Sequence, residues 1–145
     1  MKWELRAAGT ADVEAIAELR AVVMRPDLER LGRYDEERVR QRLRDGFSAA
    51  YTSVIETEGE FAGCVTLRPE RDGLVLEHFY LAPRLQGRGI GAGILGALLE
   101  RADGDRVPVR LNVLRGSGAR RLYERHGFVL ESEDPVDVFM VRQPV

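Results

Sequence analysis

The sequence predicts an α/β (α+β) protein, with a mixed, mostly antiparallel sheet of about seven strands and helices on both faces. Three observations predict it. From Ala49 to Leu81 the apolar period is two and is broken twice by turn residues, the pattern of successive hairpins. On either side of that block, apolar residues recur three and four apart, as helices require. Short strand-like runs stand at both ends of the chain. The element order is β-α-α-β-β-β-α-β-α-β-β, read as a single domain over residues 1–145.

Taken in order, residues 3–6 alternate apolar and polar side chains, and Gly9-Thr10 ends the run. Thr10 can N-cap a helix reaching Met24, with Val13, Ile16, Ala17, Leu19, Arg20 and Val23 along one face. Pro26 should stop it, because proline has no N–H to give and crowds the preceding turn. Residues 26–34 are then a polar, irregular connection with Arg25, Arg30 and Arg33 clustered nearby. Asp35 caps a second helix over residues 36–45, closed by Gly46. Within the hairpin block, Tyr51, Ser53, Ile55 and Thr57 share one face. Glu58-Gly59-Glu60 turns into a strand over residues 61–67, and Arg71-Asp72-Gly73 turns into one over residues 74–81. Ile90, Ile94, Leu95, Leu98 and Leu99 mark the next helix, and residues 107–113 the next strand. A short helix over residues 119–126 ends at Gly127. Strands over residues 128–133 and 136–142 follow, joined at Asp134-Pro135.

Composition narrows the function. The chain has 24 acidic and 22 basic residues, so its near-neutral charge of −2 offers no electrostatic case for nucleic acid. The single cysteine, Cys64, excludes an intrachain disulfide framework and a cysteine-rich metal site, and no metal is expected. Nothing approaches the roughly 20 apolar residues of a membrane helix. The opening MKWELRAAGT lacks the apolar core of a secretory signal, so the expected location is cytoplasmic, with no membrane partner.

The stretch LVLEHFYLAPRLQGRGIGAGILGALLERA, residues 74–102, organises the rest. A strand runs into a loop carrying Arg84, Gln86 and Arg88, then into glycines at positions 87, 89, 91 and 93 on the threshold of a helix. Helix N-termini offer unpaired N–H groups and a partial positive charge, and glycine lets a phosphate reach the backbone. Each glycine costs the helix up to about 1 kcal/mol, more than close helix–sheet packing would justify four times over. A dinucleotide-binding G-x-G-x-x-G also fits by spacing at Gly91, Gly93 and Gly96, but Pro83 to Gln86 separate the glycines from the strand. Leu111 and Asn112 stand where an acidic ribose ligand would be needed. A Walker loop is excluded, since no Gly-Lys-Ser/Thr follows.

Gln86-Gly87-Arg88-Gly89-Ile90-Gly91, together with this element order, resembles the GNAT superfamily of acyl-CoA-dependent N-acyltransferases. Gln86, Gly89 and Gly91 fill the positions of the family signature. A second motif agrees: Leu111-Asn112-Val113 at a strand end, then Ala119, Leu122, Tyr123, Gly127 and Phe128 in the A-x-x-L-Y-x-x-x-G-F pattern. The resemblance covers nearly the whole chain and says little about the substrate.

The resemblance implies acetyl-CoA as co-substrate and transfer of its acetyl group to a primary amine by direct attack in a ternary complex. Gln86, Gly87, Arg88, Gly89, Ile90 and Gly91 would hold the pyrophosphate of coenzyme A, with Arg84 or Arg88 adding charge. A backbone N–H near Leu81, freed by a bulge, would stabilise the developing oxyanion. Splaying of the fourth and fifth strands would admit the pantetheine arm, and Asn112 would bond its amide. Tyr123 would protonate the leaving thiolate, since a phenol with pKa of about 10 is protonated at neutral pH. An alkylammonium also titrates near 10, so a base must take its proton. Glu77 is the choice. His78 suits by its reference pKa, but successive strand residues face opposite ways and a core histidine bonded to backbone is its expected fate. His126 and a buried Cys64 are assigned to structure, and Trp3 and Phe128 to the core.

By the same resemblance, the acceptor site falls on residues 24–34 and 131–137. Arg25, Arg30, Arg33 and Tyr34 could hold a carboxylate, and Glu131, Glu133, Asp134 and Asp137 could attract an amine, so an amino-acid-like or peptide acceptor fits. A homodimer through the terminal strands is compatible. The alternative reading is a non-catalytic acyl-CoA-binding sensor or regulatory module.

Overall fold

Alternation in the hairpin block and three-to-four spacing outside it become strands and helices in the predicted order. The computed structural model describes residues 2–145, and among them are seven strands and four helices. The strands are β1 (Glu4–Ala7), β2 (Thr52–Thr57), β3 (Glu60–Glu70), β4 (Gly73–Leu81), β5 (Val109–Leu114), β6 (Val129–Glu133) and β7 (Asp137–Arg142). The helices are α1 (Val13–Arg30), α2 (Glu36–Gly46), α3 (Ile90–Gly104) and α4 (Ala119–Arg125). The sheet order is β1-β2-β3-β4-β5-β7-β6. β4 and β5 run parallel, with Leu74 opposite Val109 and Val75 opposite Arg110. The pairs β1–β2, β2–β3, β5–β7 and β7–β6 are antiparallel, so the sheet is mixed and mostly antiparallel, as the sequence predicts.

The chain divides into two compact units. One holds residues up to Thr66 together with His78–Gly91, and the other holds Leu67–Glu77 with Ala92–Val145. In the first, Ile16, Ala17 and Leu19 of α1 pack with Leu43 of α2, Val54 of β2, Cys64 of β3 and Tyr80 of β4. Asp35 caps α2 as expected, its carboxylate accepting from the N–H groups of Glu37 (3.1 Å) and Arg38 (2.9 Å). Glu58 and Gly59 both have positive φ, +54° and +77°, the backbone of a two-residue hairpin turn.

Pro26 does not stop the first helix. α1 runs through it to Arg30, leaving unmade a bond to the carbonyl of Val22, a residue that is 55% exposed where water can replace it. The stop lies at Gly32, whose φ of +70° lets its N–H reach Glu29 O (3.0 Å) while Arg33 N–H reaches Leu28 O (2.8 Å). Arg25 and Arg30 are therefore helical residues rather than loop residues.

In the second unit, Val109, Leu111 and Val113 of β5 turn inward against buried Val138 and Met140 of β7. Phe128 is buried at 2% exposure, as expected, whereas Trp3, in the first unit, is only half-buried. Arg142 grips Asp103 with two bonds, 2.8 and 3.0 Å, and gives Nε–H to the His126 carbonyl at 2.8 Å. That guanidinium, with the Val145 N–H, holds the Asp103 carboxyl down to about 2.

Candidate active site

β4 departs from a regular strand where the chemistry is expected. His78 has φ +48°, a left-handed conformation uncommon for a residue with a side chain, so the strict alternation that would oppose Glu77 to His78 is interrupted there. The kink is pinned from two sides. Cys64 Sγ–H donates to the His78 carbonyl at 3.1 Å, and Tyr80 Oη lies 3.1 Å from His78 Nδ1. Burial pushes the Cys64 thiol up to about 12, which suits a packing role and not a nucleophile.

Beyond the kink, β4 lies directly over Gly63 of β3. A Cβ on Gly63 would fall 2.1 Å from the Tyr80 carbonyl oxygen and 3.1 Å from its carbon. The oxygen is the nearer atom, so this carbonyl aims at Gly63. In a trans peptide the N–H of Leu81 then aims the opposite way. The flanking atoms are fixed too: Ala82 N–H donates to Ala62 O (2.8 Å), and Gln86 Nε2 donates to Leu81 O (3.0 Å).

A short turn, Pro83–Leu85, seats Leu85 in the interior and delivers the chain to Gln86. Gly87 and Gly89 have φ +76° and +83°, are exposed, and would present a Cβ to nothing within 4 Å. Backbone conformation, not close packing, is what requires glycine at both. Among the described residues no backbone carbonyl accepts from the N–H groups of Gly87, Arg88 or Gly89. Ile90 and Gly91 open α3, where first-turn amides have no intrahelical acceptor. Successive N–H groups of this kind form a concavity suited to an anion. Arg88 is exposed, while Arg84 Nη2 reaches the Phe61 carbonyl at 3.4 Å.

Leu81 and residues 86–91 belong to the first unit, and Glu77, Asn112 and Tyr123 to the second. Glu77 accepts from Arg68 Nε, and this bond is the first cause of the raised pKa of the arginine. Asn112 Nδ2 donates to Asp137 Oδ1 at 3.0 Å. Tyr123, on α4, is 8% exposed, its ring edge-on to Phe128 at 5.7 Å. His126 caps that helix, its Nδ1 2.9 Å from the Leu122 carbonyl, which is the structural place assigned to it.

A sequence profile of the acetyltransferase (GNAT) family matches residues 14–128. The chain belongs to that family. GNAT proteins are acyltransferases that use acetyl-CoA. Solved structures share the GNAT fold over the whole chain. The PaiA N-acetyltransferase of Thermoplasma acidophilum, in complex with coenzyme A, is 20% identical with a TM-score of 0.79, covering 99% of each chain. The ribosomal-protein-S18-alanine N-acetyltransferase of Escherichia coli is 17% identical at a TM-score of 0.75, covering 98% of this chain and 94% of that one. A GNAT acetyltransferase of Streptococcus pneumoniae is 24% identical at 0.63, covering 99% and 100%. No curated protein matches in sequence. No described helix is long and apolar enough to cross a membrane.

Two residues of this GNAT chain escape a reading of the sequence. Gly63 was legible as a glycine inside a strand, the mark of close backbone approach. Arg20 was legible only as a charge on an apolar helix face. Several of the residues expected at the acceptor site have partners in the fold. Arg25 pairs with Glu29 and lies 4.7 Å from the Tyr34 ring, and Arg30 pairs with Asp27. On the acidic hairpin, Glu131 pairs with Arg110, and Glu133 with Arg115. Asp134 Oδ1 accepts from the N–H groups of Val136 and Asp137.

Proposed function

We propose that the chain, as one domain, is an acetyl-CoA-dependent N-acetyltransferase acting on a primary amine of a small molecule or peptide, by direct attack in a ternary complex. The observation that carries the reading is the pair of exposed, left-handed glycines, Gly87 and Gly89, whose amides and that of Arg88 have no backbone acceptor among the described residues, one short turn after the strand whose Tyr80–Leu81 peptide is turned over Gly63. The space a Cβ would take at Gly87 and Gly89 is open, which fits a diphosphate approaching the backbone.

Bound acetyl-CoA supplies a thioester carbonyl activated towards amines. Gln86, Gly87, Arg88, Gly89, Ile90 and Gly91 would hold its diphosphate, and Asn112 would bond its amide arm. The Leu81 N–H would donate to the carbonyl oxygen where negative charge builds, a role worth about 3 kcal/mol for a preorganised donor. Glu77 would take the ammonium proton through water; as the C–N bond forms and the C–S bond breaks, the Tyr123 hydroxyl would give its proton to the departing sulfur and recover one from the acylated nitrogen. A second reading, an acyl-CoA sensor without turnover, is favoured by the engagement of Glu77 with Arg68.

Thiol release from acetyl-CoA across a panel of amines tests the two. Release that depends on an amine supports the enzyme. Coenzyme A binding with no release from any amine supports the sensor.

A further inference from the structure

The described residues include two buried arginines, each 8% exposed, and they are held in opposite ways. Arg142 has a carboxylate partner, Asp103, with two bonds. Arg20, on α1, meets only neutral groups: its Nε donates to Tyr80 Oη at 2.9 Å and its Nη1 to the Val39 carbonyl of α2. The acids near it along the chain are engaged elsewhere. Asp12 pairs with Arg6, Glu14 with Arg44, Glu18 with Arg40, and Asp27 with Arg30.

A guanidinium removed from water without a counter-charge is strongly unfavourable. Arg20 has donors to spare, for Nη2 has no protein acceptor among the described residues. No buried side-chain nitrogen or oxygen there lacks a partner, so Nη2 must reach accessible space. A single positive fork walled by neutral groups matches a monoanion with two oxygens, and a carboxylate is that group. Its place ties it to the reaction. Tyr80 binds Arg20 through its side chain and, through its backbone, forms the peptide whose Leu81 N–H faces away from Gly63.

We propose that the acceptor amine carries a carboxylate and that Arg20 binds it, making the substrate amino-acid-like. This inference rests on the acetyl-transfer reading above. It adds Arg20 to the arginines that the sequence suggested for a carboxylate, Arg25, Arg30 and Arg33, of which Arg25 and Arg30 are already paired with acids.

The test pairs amino acids with the amines left on removing their carboxylate, phenylalanine with phenethylamine for example, and measures thiol release from acetyl-CoA. The expected kcat/KM is about 10- to 100-fold higher for the best amino acid than for its decarboxylated partner, the range of a hydrogen bond to a charged group. Arg20→Lys, which keeps charge but loses the fork, and Arg20→Gln should collapse that ratio by raising KM for the amino acid. General damage lowers both substrates alike and leaves the ratio standing, which would overturn the assignment. Equal or better use of decarboxylated amines by the wild type would overturn it as well. If no amine of either kind releases thiol, acetyl transfer fails and a thermal-shift titration with the same amino acids decides Arg20 alone. A rise in Tm that Arg20→Lys abolishes sustains the carboxylate site, and no rise refutes it.

Discussion

Gly87→Ala separates the cost of a left-handed backbone from the loss of a ligand cradle, because the structure contains its own control. Gly87 has φ +76° and Gly59, in the β2–β3 turn, has φ +77°; a Cβ at either meets nothing within 4 Å. Alanine in the left-handed region costs about 1–2 kcal/mol. The stiffer unfolded chain returns about 0.4–1 kcal/mol of that. Both variants should therefore lose about 1 kcal/mol in urea titrations, and they should lose it equally. Coenzyme A affinity, measured by calorimetry, should part them. At Gly87 the new methyl either enters the space of the diphosphate or relaxes the turn and re-aims its N–H groups. Losing one hydrogen bond to a charged group is worth about 1.5–3 kcal/mol, so Kd should rise about 10- to 100-fold. Gly59→Ala should bind as the wild type does. If Gly87→Ala binds coenzyme A with wild-type affinity while losing the same stability, the loop is an ordinary turn and the diphosphate lies elsewhere.

Other outcomes follow from the same geometry. Tyr123→Phe keeps the ring against Phe128, and kcat should fall about 100-fold in steady-state assays, far more than coenzyme A affinity changes. Gly63→Ala should destabilise the protein by about 2 kcal/mol or more, because the obstacle is backbone 2.1 Å away and not a flexible side chain. Asp103 is depressed to about 2 by Arg142, so its stabilisation is in place above about pH 4 and disappears as pH falls towards 2. Denaturation midpoints at pH 6 and pH 3 should differ more for the wild type than for Asp103→Asn. Cys64, with its thiol pushed up to about 12, should resist a thiol reagent at pH 8 until the protein unfolds, and Cys64→Ala should retain activity.

Much of this architecture is written in short-range pattern. Alternation placed β2, β3 and β4, and Asp35 announced α2, because strand faces and helix caps are decided by neighbouring residues. Pro26 misled because its penalty is small where the abandoned carbonyl can find water, and Gly32 supplied a stronger stop a turn and a half later. The glycines at 87 and 89 could be read because their conformation is a property of the loop itself. Gly63 and Arg20 could not be assigned a role, since each is defined by a strand or helix distant in sequence: Tyr80 is what both of them meet. Glu77 illustrates the same limit, its engagement with Arg68 arising only when β3 and β4 lie side by side.

The bare α-carbon at position 63 has a consequence for anyone re-engineering this scaffold. The direction of the Leu81 amide depends on a vacancy on a neighbouring strand as well as on the side chains of β4 itself. A single methyl group added across the strand boundary would swing it. Libraries meant to broaden the range of transferred groups should therefore keep Glu77, His78 and Tyr80 of β4 and leave position 63 untouched.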